Sequence, residues 1–128
     1  NKLLSKIKTN LAIWNINSFA ETFLEIMPKY LPTFEDACNK IIDERKIFFK
    51  ELEKIKFLKP LPSFSNYIMC KISNKFSSDT LSKKLLNEGY LVKSLSKKID
   101  PKRGEYIRLT VRNRIDNKKL IQVLQKFE

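Results

Sequence analysis

The sequence is expected to fold as an α+β domain: a small mixed three-stranded sheet with helices packed on one face, preceded by a long amphipathic helix. Three observations predict this. In Tyr106–Asn113 the residues Ile107, Leu109 and Val111 alternate with Tyr106, Arg108, Thr110 and Arg112, the period-two pattern of a strand with one buried face. Between Phe34 and Ile55, apolar residues recur at three- and four-residue spacing, which is one stripe of a helix. The remaining segments follow the order strand, helix, strand, strand, helix. A right-handed crossover makes the first two of those strands parallel, and the third returns from a hairpin to insert between them.

Taken in chain order, Asn1–Lys8 reads as the tail of a helix, and Leu11–Asn17 as extended and partly apolar. Asn17 or Ser18 can cap a helix over Ser18–Met27, with Glu21 placed to reach back, and Pro28 is expected to stop it. Pro32 and Thr33 open the long helix, Thr33 as a candidate N-cap and Glu35 and Asp36 near the positive end of its dipole. Its stripe is Phe34, Ala37, Cys38, Ile41, Ile42, Phe48, Phe49, Leu52 and Ile55. Lys59–Asn66 is a proline-punctuated connector. Asn66–Ile72 reads as the first strand. Ser77 or Ser78 caps a helix through Asn87, ended by Gly89 at the usual position after a helix. Tyr90–Leu95 reads as the second strand and Pro101–Gly104 as a turn. Asn113 caps a closing helix with Leu120, Ile121, Leu124 and Phe127 on its apolar side.

Composition narrows the chemistry. The 128 residues suffice for one modest core, and 42% hydrophobic with 31% charged residues fits a globular protein. The apolar runs are too short to span a bilayer and no signal peptide is evident, so no membrane association is expected. Two cysteines, Cys38 and Cys70, form neither a disulfide framework nor a metal cluster, and a reducing cytoplasm suits them as free thiols. The absence of histidine removes Ser-His and Cys-His catalysis and the usual zinc sites. A net charge of +12 raises nucleic acid as a partner. Against it, lysine supplies most of the excess and is spread over every segment, and no strand reads as a base-stacking platform.

Arg108 is the candidate functional residue. It sits mid-strand opposite the aliphatic row, where a rigid strand would hold its planar fork for a carboxylate or phosphate. The alternative for a lone arginine is an ordinary solvated face.

Four segments in this order resemble the C-terminal small domain of fold-type I pyridoxal-phosphate enzymes, in the branch of histidinol-phosphate aminotransferase and threonine-phosphate decarboxylase. WNINSFAE (Trp14–Glu21) is similar to the segment linking large and small domains. PLPSFSNYIMCKI (Pro60–Ile72) is similar to the connector and first small-domain strand. LSKKLLNEGYLVKSLSKK (Leu81–Lys98) is similar to the helix and second strand. YIRLTVRNRIDNKKLIQVL (Tyr106–Leu124) is similar to the arginine strand, its cap and the closing helix. The WNINSFAE and LSKK runs look most like versions fused behind a nucleotidyltransferase domain.

The resemblance implies that residues 1–16 are a linker and helix tail from a missing large domain and that residues 17–128 are the small domain. Asn1 in place of methionine agrees with a piece of a longer protein. It implies that Arg108 clamps the substrate carboxylate, and that Lys93 stands where the family often has a phosphate-binding arginine, which makes it a candidate second anion contact. The substrate implied is an amino acid or a phosphorylated amino acid. Pyridoxal phosphate would be the cofactor, anchored by a lysine of the large domain, so this segment alone holds no catalytic residue. The full-length protein would be a cytoplasmic homodimer. Three rivals remain: a decarboxylase of the same fold, a relic that has lost its chemistry, and a non-catalytic basic binding module whose nucleic-acid affinity would fall steeply with salt.

Overall fold

The computed structural model describes residues 2–10, 16–73 and 75–128. Of the segment expected to be extended, Leu11–Asn17, residues 11–15 lie outside the described residues, and with them Trp14 and Asn15 of the WNINSFAE motif. The chain divides into two units, Asn1–Asp36 and Ala37–Glu128.

The first unit contains α1 (Lys2–Thr9) and the first half of α2 (Ser18–Glu53). Asn17 is the cap: the Ala20 N–H donates to its Oδ1 at 2.9 Å. The expected stop at Pro28 and fresh start at Thr33 do not occur, and α2 runs through both prolines. Each proline removes one N–H from the helical ladder and usually kinks it. Here the two lie four residues apart, so both defects fall on one face and the other face keeps its ladder. Thr33 is therefore an interior helical residue, not a cap.

The second unit holds the rest of α2, then β1 (Leu58–Pro60), β2 (Tyr67–Ile72), α3 (Ser78–Asn87), β3 (Lys93–Ser94), a short 3-10 turn at Pro101–Arg103, β4 (Glu105–Thr110) and α4 (Arg114–Gln125). The caps follow from side-chain chemistry. Ser77 Oγ accepts from the Thr80 N–H at 3.1 Å and Asn113 Oδ1 accepts from the Asp116 N–H at 2.9 Å. Gly89 has φ +86, a left-handed value at the end of α3 that favours glycine.

The sheet has the order β1-β2-β4-β3. β2 and β3 both pair with β4 antiparallel, so they point the same way, with the returning strand between them as the crossover argument requires. Because β4 separates the two parallel strands, every hydrogen-bonded ladder is antiparallel where a mixed sheet was expected. The fourth strand, β1, takes in the first two residues of the expected connector Lys59–Asn66. It pairs Leu58 with Ile72 and Pro60 with Cys70, and it tolerates proline because it is an edge that need not donate outward. β3 is shorter than the expected Tyr90–Leu95.

One face of the sheet makes the core. Ile68, Cys70 and Ile72 of β2 and Ile107 and Leu109 of β4 pack with Leu81 and Leu85 of α3, Leu120, Ile121 and Leu124 of α4, and Phe48 and Leu52 of α2. Full burial of such side chains contributes about 1.5–3 kcal/mol each. The register places Ile68 opposite Leu109 and Cys70 opposite Ile107, which stacks the two strands' apolar rows on the same face. No helix among the described residues is long and apolar enough to cross a membrane.

Candidate functional site

The other face of the sheet carries the candidate site. Alternation turns Arg108 outward between buried Ile107 and Leu109. Its cross-strand neighbours are Met69 of β2 and Lys93 of β3. The two residues singled out by sequence are thus directly opposite one another on adjacent strands, both exposed. The Arg108 guanidinium lies over the Tyr67 ring, 4.7 Å from its centroid. A stacked guanidinium keeps its in-plane N–H fork free to meet an anion while its flat face is covered. Among the described residues, neither Arg108 nor Lys93 has a carboxylate at ion-pair distance. Like charges directly opposite in a sheet repel, and no carboxylate among the described residues neutralises this pair.

An open cleft runs past the pair and includes Asp79, Ser94, Ser96, Lys97 and Thr110. Beside it, residues that periodicity did not flag join β4 and β3 to the start of α3. Glu105, at the start of β4, accepts from the Ser78 N–H at 2.7 Å and from the Ser78 hydroxyl at 2.5 Å. A carboxylate there satisfies a free N–H of the first turn of α3 and complements the helix dipole. Asp79 Oδ1 accepts from the Ser94 hydroxyl at 2.6 Å and the Ser96 hydroxyl at 2.9 Å. The Ser94 and Ser96 bonds hold the Asp79 carboxyl below its ordinary range, helped by the charges of Lys83 and Lys97. Behind the strand, Asn117 is buried and closes the turn into α4. Its amide donates to the Arg112 carbonyl at 2.7 Å, and its Oδ1 accepts from the Arg112 N–H at 3.0 Å. Serine, aspartate and glutamate at helix starts are commonplace in sequence, and only their distances reveal the network.

The chain does not fit a cofactor-anchoring role. Every described lysine is exposed, whereas a lysine that attacks a carbonyl needs a dry or electropositive setting to lose its proton. Among the described residues, no cluster of histidine, cysteine, aspartate or glutamate could hold a metal ion.

No family-level sequence profile matches the chain. Individual relatives do. Histidinol-phosphate aminotransferase from Caldanaerobacter subterraneus is 32% identical over 89% of this chain and 31% of its own length, and that from Clostridium novyi is 28% identical over 96% of this chain and 33% of its own. CMP-5'-(3-aminopropyl)phosphonate synthase from Streptomyces rubellomurinus is 25% identical over 98% of this chain and 20% of its own length. The chain thus spans about a fifth to a third of these relatives. Among solved structures, a decarboxylase from Sulfurospirillum multivorans and the histidinol-phosphate aminotransferase from Clostridium acetobutylicum both superpose with a TM-score of 0.78 at 27% identity. Each covers 98% of this chain, which spans 36% and 37% of theirs respectively. The four-stranded α+β unit behind a long helix, together with this likeness along nearly its whole length, shows that the chain belongs to the small domains of the pyridoxal-phosphate-dependent aminotransferases, in the branch of histidinol-phosphate aminotransferase and related decarboxylases.

Proposed function

We propose that this domain recognises substrate for a larger pyridoxal-phosphate-dependent aminotransferase, with Arg108 holding the carboxylate of an amino-acid substrate and Lys93 a second anionic group such as a phosphate. The observation that carries this reading is the unpaired juxtaposition of Arg108 and Lys93 on the open face of the sheet. A guanidinium fork suits a planar carboxylate, and an ammonium attracts phosphate as a point charge. In this reading residues 1–16 link to a large domain that anchors the cofactor, and residues 17–128 form the wall that closes over substrate. The exposed apolar side of α2 in the first unit, including Phe23, Ile26, Tyr30 and Phe34, is then a face for the rest of the protein, either its large domain or its partner in a cytoplasmic homodimer. The Streptomyces relative's name denotes a CMP-bearing phosphonate, and that protein is about five times as long as its match. Both features support a full-length protein with a nucleotidyltransferase domain as well.

Reduction with borohydride in the presence of pyridoxal phosphate tests the assignment in the full-length protein. One lysine outside residues 1–128 should be labelled stoichiometrically. Specific labelling of a lysine within them would overturn the division of labour.

Decarboxylation is the second reading, favoured by the equal superposition on the Sulfurospirillum decarboxylase. Release of carbon dioxide rather than a 2-oxo acid from the substrate distinguishes it. Arg108 would hold the carboxylate during transamination, whereas in decarboxylation that group departs.

A further inference from the structure

Two cations on directly opposed positions destabilise the strands that carry them, and β3 has little with which to resist. It is two residues long, pairs with β4 through Lys93–Arg108 and Ser94–Ile107 with one further bond from the Leu95 N–H to the Tyr106 carbonyl at 3.1 Å, and faces inward with a serine where β4 presents Ile107 and Leu109. Neither of its two residues buries an apolar side chain as those of β2 and β4 do, and its apolar anchoring comes from Val92 just before it, which is partly buried against the core. On its polar side the tie is the Asp79 carboxylate on the first turn of α3. Asp79 takes hydrogen bonds from the hydroxyls on either side of Leu95, those of Ser94 and Ser96. The Ser96 N–H in turn donates to Ser94 Oγ at 3.3 Å. Ser94 Oγ also lies 3.3 Å from Ser78 Oγ, whose hydroxyl donates to Glu105 at the start of β4. A chain of polar contacts thus connects both cation-bearing strands to one helix start.

We propose that Asp79 is a positioning residue. By clamping Ser94 and Ser96 it holds Lys93 beside Arg108 against their repulsion, which makes the cleft selective for substrates with two anionic groups. The proposal rests on the carboxylate and second-anion reading of Arg108 and Lys93, and it adds how that pair is kept together and what selectivity results.

The sign of the effect separates positioning from a bystander role. Asp79 is itself an anion lining the cleft, so a carboxylate with no structural duty would repel a phosphate, and any substitution removing its charge would tighten phosphate binding. A positioning carboxylate behaves otherwise: Asp79→Asn retains an oxygen that accepts from both serines, whereas Asp79→Ala retains nothing.

Calorimetric titration of the full-length protein with O-phospho-L-serine and with L-serine reads this directly, with thermal melts alongside. The wild type should favour the phosphorylated probe. Asp79→Ala should weaken O-phospho-L-serine by about 5- to 30-fold and leave L-serine within about twofold. Asp79→Asn should bind the phosphorylated probe as well as the wild type or somewhat better. In a Lys93→Ala background, Asp79→Ala should have no further effect on phosphate preference, because there is no second cation left to position.

Tighter phosphate binding in both Asp79 variants would overturn the proposal in favour of a simple charge effect. Equal loss of both probes with a lowered melting temperature would overturn it in favour of a purely structural role. If Arg108→Ala abolished binding of both probes while Asp79→Ala changed neither, the carboxylate reading would stand and the positioning role would fall. A wild-type protein that bound neither probe would remove both.

Discussion

The two faces of β4 present residues that are neighbours in sequence and opposite in purpose. Ile107 and Leu109 are fully buried at 0% exposure, in register with Cys70 and Ile68. Arg108 between them is exposed, stacked on Tyr67 and opposed to Lys93. The inner face stabilises the unit by removing apolar surface from water. The outer face keeps two unpaired cations side by side, which gains nothing for folding. Mutational cost on this strand should therefore separate cleanly: inner substitutions should act on stability and outer ones on ligand recognition.

The largest expected effect is on the inner face. Leu109→Ala should destabilise the chain by about 2–5 kcal/mol, the range for truncating a core aliphatic that leaves a cavity. Denaturant unfolding measures this, and a loss below about 1 kcal/mol would show that the core is loosely packed. On the outer face, Arg108→Ala should lower kcat/KM of the full-length enzyme for its amino-acid substrate by about 30- to 1,000-fold, equivalent to roughly 2–4 kcal/mol. Its melting should change by no more than a surface substitution does, under about 0.5 kcal/mol. Normal turnover would remove the carboxylate role, and unfolding would make Arg108 a structural residue after all. Arg108→Lys should recover only part of the activity, since an ammonium cannot form the two parallel bonds of the fork.

The cysteines sharpen the contrast by a different measurement. Cys70 points into the core beside Ile107, and burial pushes its thiol up to about 12, so it stays protonated and shielded. Cys38 on α2 is half-buried. Iodoacetamide at about pH 8.5, near the ordinary thiol value, should modify Cys38 in the folded chain and spare Cys70 until denaturant is added. Equal rates would mean that the inner face opens readily. The smallest effect is expected at Tyr67→Leu, which removes the ring beneath Arg108. It should weaken anion recognition by about 0.5–1 kcal/mol, the size of an exposed cation–π contact, read as a two- to fivefold rise in KM. No change would show that the stacking does not orient the fork.

Much of this architecture could be read before the structure. The alternation in β4 gave the strand and both its faces. The caps at Ser77 and Asn113 and the glycine after α3 marked their helices, because capping depends on one side chain and its own next turn. The long helix was read less well. Its apolar stripe is continuous in sequence, yet Phe48 and Leu52 are fully buried while Phe34 and Phe23 are about 60% exposed. Periodicity reports that a face is apolar but not what covers it. The missed break-free passage through Pro28 and Pro32 has a similar origin, since a proline rule applied one residue at a time does not register two defects sharing a face.

At the site, Arg108 and Lys93 could be singled out because one sits in a patterned strand and the other in a run that resembled a known segment. The crossover argument puts their two strands side by side, but the register that sets Lys93 directly opposite Arg108 emerges only from the pairing of β3 with β4. The same holds for Asp79 with Ser94 and Ser96, for Glu105 with Ser78, and for β1, whose proline argued for a connector until pairing with β2 made it an edge strand. What the sequence determined by itself was local: which segments alternate, which residues cap, and which strand carries an arginine on its polar side. Left to the tertiary structure were the non-local features: the register between neighbouring strands and the added edge strand β1, which half of an apolar stripe is covered, and which polar groups meet. The physical reason is that backbone periodicity and capping are set within a turn or two of chain, whereas cross-strand pairing and burial depend on contacts between residues distant in sequence.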